Sequence, residues 1–232
     1  MTGLLVFLLV AQSLPMGSLP IGSVAESTFD VGFDFRTSLA FVTDPPYATF
    51  VDGASGDGKT QTCPPADSRL VKYPTTCTVH GLSVTYGFEN PPDTGPFDRN
   101  RMSTADPRVA GCVFVPNSVP VMTFRVDLPD LGSYKVQALF GDGTQGYDTV
   151  NYALIRDGAG TTLWALSGGS ACSTLSYTLD VNCNPVTISP NLGTLASTPP
   201  LSFSASTIFR LVLGNGAAVN NTVIAHLRII KQ

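Results

Sequence analysis

The chain has 232 residues, with 13 Lys and Arg against 17 Asp and Glu, for a net charge of −4. No block of cations occurs, which argues against nucleic-acid binding, since that depends on clustered Lys and Arg displacing counterions. Charged residues make up 13% of the chain, against about a quarter in ordinary domains, so its surface is built from Ser, Thr, Asn, Gly and Pro or is covered by partners. The length allows one large domain whose core needs neither metal nor disulfide to fold. The 22 Gly and 18 Pro suit many short strands joined by turns.

The N-terminal residues Leu4, Leu5, Val6, Phe7, Leu8, Leu9, Val10 and Ala11 form the most apolar run in the chain. It is too short to span a bilayer, which needs about 20 apolar residues. No Lys or Arg precedes Arg36, so the charged start of a secretory signal is missing and that reading ranks third. Such an apolar strip is expected to be buried. A neighbouring subunit or host surface would cover it, or it would add a strand to its own domain; these two readings stand level. Residues 12–28, with Pro15, Pro20 and their glycines, read as an extended linker. The expected organisation is an arm and linker over 1–28 followed by a β domain over 29–232, with an irregular insertion at 53–80.

From Phe29 the pattern is strand after strand, and no stretch carries a helical stripe. Met122, Phe124, Val126 and Leu128 alternate with Thr123, Arg125 and Asp127, the period-two signature of a half-buried strand. Pro129-Asp130-Leu131-Gly132 reads as a turn. Tyr134, Val136, Ala138 and Phe140 then alternate with Ser133, Lys135 and Gln137, so the two segments read as a hairpin. Further strands are expected near 149–156, 161–166, 174–180, 207–213 and 222–230. The five cysteines include no C-x-x-C pair, and with two histidines a zinc site is not expected. Local spacing points to bridges Cys63–Cys77 and Cys172–Cys183, with Cys112 left over in a strand; five thiols is the competing reading.

A resemblance runs through these segments. Its residues are Phe33-Asp34-Phe35, Tyr86-Gly87-Phe88, Asp98-Arg99, the run from Thr123 to Pro129 with Ser133 to Val136, Phe140-Gly141-Asp142, and the closing Asn221 to Leu227. In this order they resemble the galactose-binding-like, malectin-like sandwich, a module found beside polysaccharide lyases and esterases and in phage structural proteins. Two departures are Arg36, where that family usually has Gly, and the 53–80 insertion. The resemblance implies an all-β, two-sheet jelly-roll-like sandwich and leaves function to be argued from the site.

Few groups are equipped for catalysis. His80 and His226 are the only histidines, no G-x-S-x-G occurs, and Gly141-Asp142-Gly143 lacks the serine a nucleophile would need. No pair of carboxylates is marked as a glycosidase dyad. His226 falls in the last alternating segment, where a strand-surface position is expected. No cofactor is expected; the softer option is Ca2+ held by Asp52, Asp57, Asp142 and Asp148 in Gly-rich loops, although Asp also favours turns for local hydrogen bonds. A glycan would be met by Tyr86, Phe97, Arg99, Arg101 and Tyr147, with Tyr86 and Phe88 alternatively in the core.

The expectation is therefore a non-enzymatic protein. The leading reading is a phage virion component, a capsid cement or decoration subunit or a tail or fibre adhesin. It would be a homo-oligomer docking on capsid or other virion proteins through Leu4 to Val10. The alternative is a secreted carbohydrate-binding module, and a third is a hydrolase accessory domain. No membrane partner is expected.

Overall fold

A computed structural model describes residues 29–35, 49–52, 71–79, 82–91, 98–100, 111–115, 121–141, 148–169, 172–175, 178–186, 195–214 and 222–232. The arm and linker over 1–28 lie outside them. In chain order the strands are β1 Asp30–Asp34, β2 Thr49–Asp52, β3 Thr75–Val79, β4 Leu82–Phe88, β5 Asp98–Asn100, β6 Gly111–Val115, β7 Met122–Asp127, β8 Gly132–Phe140 and β9 Asp148–Asn151. They continue as β10 Ala153–Arg156, β11 Thr162–Ala165, β12 Cys172–Leu175, β13 Thr178–Leu179, β14 Pro185–Val186, β15 Leu201–Phe203, β16 Ile208–Leu213 and β17 Thr222–Lys231. Among the described residues there is no α-helix, only a short 3-10 turn at Leu166–Gly169.

Two sheets pack face to face. The larger has β8 and β17 paired along its centre; β1 and β6 sit end to end on the other edge of β17, and β2 and β5 extend them outward. β13 and β15 pair with β8, and β14 lies outside β13. The smaller sheet runs β11-β10-β16-β7-β4-β3, and β9 pairs with β12 apart from both. Every named pairing is antiparallel except β1 with β2.

Alternation sends one side of each strand into a common core. Phe33 and Phe35 of the β1 segment meet Tyr86 and Phe88 of β4 and Phe124 of β7, all fully buried. Phe124 is the hub: its ring centroid lies 5.2 Å from Phe33, 5.1 Å from Phe35, 6.1 Å from Tyr86 and 5.1 Å from Phe88. In β17 a bulge at Ala225 adds one residue between the partners of Phe140 and Leu139. It lets Ile224 and Leu227, which strict alternation would place on opposite faces, both join the main core. Val223 and Ala225 turn instead to a small outer cluster with Cys112, Leu139 and Leu195.

Several expectations need correction. β7 and β8 are not a hairpin, because β7 belongs to the smaller sheet and β8 to the larger. The chain arches across the core at Pro129–Leu131, and the Tyr134 hydroxyl donates back to the Asp130 carbonyl at 2.9 Å, holding the arch. Period two cannot separate an arch from a hairpin, since both present one apolar face to the same core. The segment 149–156 splits between β9 and β10, and 174–180 splits between β12 and β13. The end of the supposedly irregular 53–80 stretch is a regular strand, β3, paired with β4. His226 is not on a strand surface: it is fully buried next to the bulge.

Cys172 and Cys183 form a disulfide with Cα atoms 5.9 Å apart. Cys77 is also disulfide-bonded; Cys63 lies outside the described residues. Cys112 is a buried thiol in β6.

Because Phe124 joins rings from both sheets, Phe124→Ala is expected to lower unfolding free energy by about 3–5 kcal/mol in urea denaturation. Val121→Ala, at an exposed site, should change it by less than about 0.5 kcal/mol. Equal losses would remove the hub from the account.

Candidate functional site

The core positions determine what faces water on the smaller sheet. With Phe124, Val126, Phe209, Leu211, Ala153 and Ile155 inward, Arg125 and Arg210 between them and Arg156 after Ile155 point outward. Pairing then aligns them: Arg125 is opposite Arg210, and Arg210 is opposite Arg156. The row extends to Gly87 on β4 and Thr162 on β11. Adjacent strands are about 4.8 Å apart, so three guanidinium groups are carried side by side on the outer face.

Like charges directly opposite one another across strands repel, and the surroundings answer that repulsion. Glu89, just past β4, is held by its amide donating to the Thr123 carbonyl at 2.9 Å. Its carboxylate accepts from Arg210 Nε at 2.9 and 3.1 Å and lies 3.5 Å from Arg125 Nη1. Arg125 Nε donates to Asp127 Oδ1 at 2.9 Å. Arg210 Nη1 also donates to the carbonyls of Asp157 and Gly158 at 3.3 and 3.2 Å. Among the described residues, Arg156 has a single hydrogen bond, from Nε to the Thr162 hydroxyl at 3.3 Å.

Tyr73 closes the other end of the row. Its segment lies against β4: the Tyr73 amide donates to the Phe88 carbonyl at 2.9 Å, and the Phe88 amide to the Val71 carbonyl at 2.8 Å. Gly87 allows this approach. Its φ is +140°, and a Cβ there would stand 2.5 Å from the Tyr73 nitrogen. The Arg125 guanidinium sits 4.1 Å above the Tyr73 ring centre, and the Tyr73 hydroxyl donates to Asp127 Oδ2 at 2.8 Å. Desolvation first, then the bond to Asp127, holds the Tyr73 phenol above its ordinary pKa. Side-chain exposures of 19% for Arg125, 23% for Arg210, 23% for Glu89 and 34% for Asp127 leave the groups braced yet reachable. The arrangement offers planar donors, carboxylate acceptors and a hydroxyl on rigid strands.

The residues expected from sequence fare differently. Tyr86 is fully buried in the aromatic core and cannot meet a glycan, because its strand position points inward between Val84 and Phe88. Arg99 lies in β5 opposite Cys112, with its side chain outside the described set. Phe97, Arg101, Tyr147, His80 and Leu4, Leu5, Val6, Phe7, Leu8, Leu9 and Val10 lie outside the described residues. So do Asp57 and Asp142 and the side chains of Asp52 and Asp148; among the described residues no group of metal-ligating side chains occurs. In the sequence Arg125 and Asp127 show only as the polar half of a strand, and Tyr73, Glu89, Arg156 and Arg210 carry no signal. Their meeting depends on strand order, which places β16 between β7 and β10.

No family model and no curated protein matches the chain. Among solved structures, the YxiM protein of Bacillus subtilis aligns with a TM-score of 0.38 and 17% identity, covering 88% of this chain and 40% of that one. TmCBM61, solved in complex with β-1,4-galactotriose, aligns with a TM-score of 0.24 and 11% identity over 53% of this chain and 70% of that one. The chain thus spans about 40% of the length of YxiM. At these values neither similarity assigns a function.

Glu89 is the shared counter-charge of two facing arginines. Glu89→Gln should therefore cost about 1 kcal/mol of stability at low salt and less at about 1 M NaCl, where surface electrostatics are screened. Urea denaturation at both ionic strengths checks this; a loss that is absent at low salt would contradict the shared-partner role.

Proposed function

We propose that this chain is a non-catalytic carbohydrate-binding module that holds its ligand across the outer face of the smaller sheet, in an oxidising, extracellular setting. The observation that carries the reading is the braced row from Tyr73 through Arg125 and Arg210 to Arg156, interleaved with Glu89 and Asp127. Saccharides present adjacent hydroxyls that donate and accept at once, and they are matched by alternating guanidinium donors and carboxylate acceptors held at strand spacing. Strand mounting and mutual bracing cut the ordering cost of binding.

The absence of catalysis is part of the proposal. Hydrolysis by a histidine base needs that base within reach of substrate, whereas His226 is fully buried in the other sheet. Glu89 and Asp127 are both engaged by arginines. The extracellular setting is supported by the Cys172–Cys183 bridge and by the disulfide of Cys77, since such bonds persist in oxidising compartments.

The virion reading rested on the apolar run Leu4 to Val10, the low charge, the lack of catalytic groups and the sandwich resemblance; the run lies outside the described residues, and no described feature favours that reading. Among the described residues the exposed large apolar side chains are Val121 and Leu131, at opposite ends of β7, which is not a patch that would seat a capsid protein or a second copy.

Affinity electrophoresis through gels carrying different polysaccharides tests the module directly. At least one should retard the intact protein, with no release of reducing ends. Arg125→Ala and Arg210→Ala should each weaken retention about tenfold, the order expected for losing a charge-assisted hydrogen bond, with cooperative melting preserved. Retardation by no polysaccharide, or retention unchanged in both variants, would defeat the proposal.

A further inference from the structure

The charges along the row do not cancel. Arg125, Arg210 and Arg156 stand against Glu89 and Asp127, leaving one positive charge on a chain whose net charge is −4. The excess is located at Arg156. Glu89 serves Arg125 and Arg210, Asp127 serves Arg125, and no carboxylate among the described residues lies within ion-pair distance of Arg156. Its one partner among the described residues is the neutral, exposed Thr162 hydroxyl. Placing a third arginine opposite Arg210 adds like-charge repulsion, and among the described residues the contact that answers it is one long, neutral hydrogen bond.

The backbone around Arg156 is shaped and anchored. β10 holds an unbroken register with β16 through Arg156, while an extra residue, Leu163, bulges from the facing β11 between the partners of Ile155 and Arg156. The turn that follows is braced: the Asp157 carboxylate accepts the Thr161 amide at 2.8 Å, and Arg210 Nη1 is tied to the carbonyls of Asp157 and Gly158. Gly158 packs so closely that a Cβ would stand 2.1 Å from the Ser206 hydroxyl oxygen. A half-buried guanidinium is thus held beside two others, its Nε on Thr162 and its Nη1 and Nη2 without a partner among the described residues, the geometry that suits a planar or tetrahedral oxyanion.

We infer that the ligand is an acidic saccharide, and that Arg156 binds its carboxylate or sulfate group while the Tyr73–Arg125–Arg210 part of the row holds the neighbouring hydroxyls. The inference rests on the carbohydrate-binding reading and adds the charge of the ligand and the residue that reads it. Arg156 becomes the specificity determinant: it discriminates by the charge it would otherwise leave unanswered.

Titration calorimetry of the full-length protein with defined oligomers tests this. The probes are an oligoglucuronate hexamer, its methyl ester with the same backbone and no charge, a sulfated xylohexaose, the unsulfated xylohexaose, and a hexaglutamate peptide. At least one acidic oligomer should bind about tenfold or more tighter than its uncharged counterpart, and the one that does so identifies carboxylate or sulfate as the group. Arg156→Ala should abolish that preference, Arg156→Lys should keep part of it, and the affinity should fall with added salt. Binding of charged and uncharged forms alike, unaffected by Arg156→Ala, would overturn the acidic-ligand inference and leave the carbohydrate module standing. Binding of hexaglutamate as tight as the best saccharide would overturn the saccharide class. If no oligomer binds and no polysaccharide retards the protein, the functional reading itself fails.

Discussion

The packing of Phe124 against aromatic rings of both sheets is the contact on which the rest of the structure depends. It brings together Phe33 and Phe35 from the larger sheet and Tyr86 and Phe88 from the smaller, joining segments far apart in the chain. Burial of these rings is the main favourable term available to a domain so poor in charge. It also sets the phase of β7. Once residue 124 faces inward, residue 125 must face out, and the antiparallel registers with β16 and β10 carry the same alternation to Arg210 and Arg156. A slip of one residue in β7 would bury Arg125 and expose Phe124, so the core and the candidate site are specified together.

The larger sheet serves as the platform. β8 and β17 run its full length, and the Ala225 bulge restores the phase that the β17 sequence would otherwise lose. Its outer face is closed by polar contacts that are structural. Arg228 makes a paired contact with Asp30 at 2.7 and 2.6 Å and reaches the Gln137 side chain, which donates in turn to the Leu195 carbonyl at 2.9 Å. At one end of the sheet, Asp130 accepts from Lys231 and Tyr134; these bonds, that from Lys231 first, hold its carboxyl below the ordinary carboxylate range. The two outer faces differ in kind: Arg228 is fully matched within the fold, whereas Arg156 is not.

Much of the fold was legible in the sequence because period-two alternation reports burial directly. Met122 to Leu128, Tyr134 to Phe140 and the final strand were all readable in this way, as was the all-β class. What alternation does not report is which sheet a strand joins. The Pro129–Gly132 connection therefore read as a hairpin when it is an arch, and the row of arginines, which exists only through the order β10-β16-β7, had no linear signature. Tyr86 illustrates the converse error. An aromatic residue near a Gly looks like a ligand platform, but its alternation with Val84 and Phe88 already placed it in the core. His226 was misplaced because the outer side of β17 is covered there: its cross-strand partner Leu139 belongs to the small outer cluster, so facing away from the main core does not expose it. Tyr73 lies in a stretch with no regular alternation, although Gly87 is the position that lets its segment approach.

The central claim is that recognition takes place on the strand face and not on the loops at the sandwich edge. Backbone amide shifts of the isotope-labelled protein, followed by NMR during titration with the oligosaccharide that binds best, test it most directly. The account predicts perturbations concentrated at Tyr73, Gly87, Glu89, Arg125, Asp127, Arg156 and Arg210, with the amides of the larger sheet unmoved. Perturbations centred instead on Phe97, Arg99, Arg101 and Tyr147, with the arginine row silent, would contradict it.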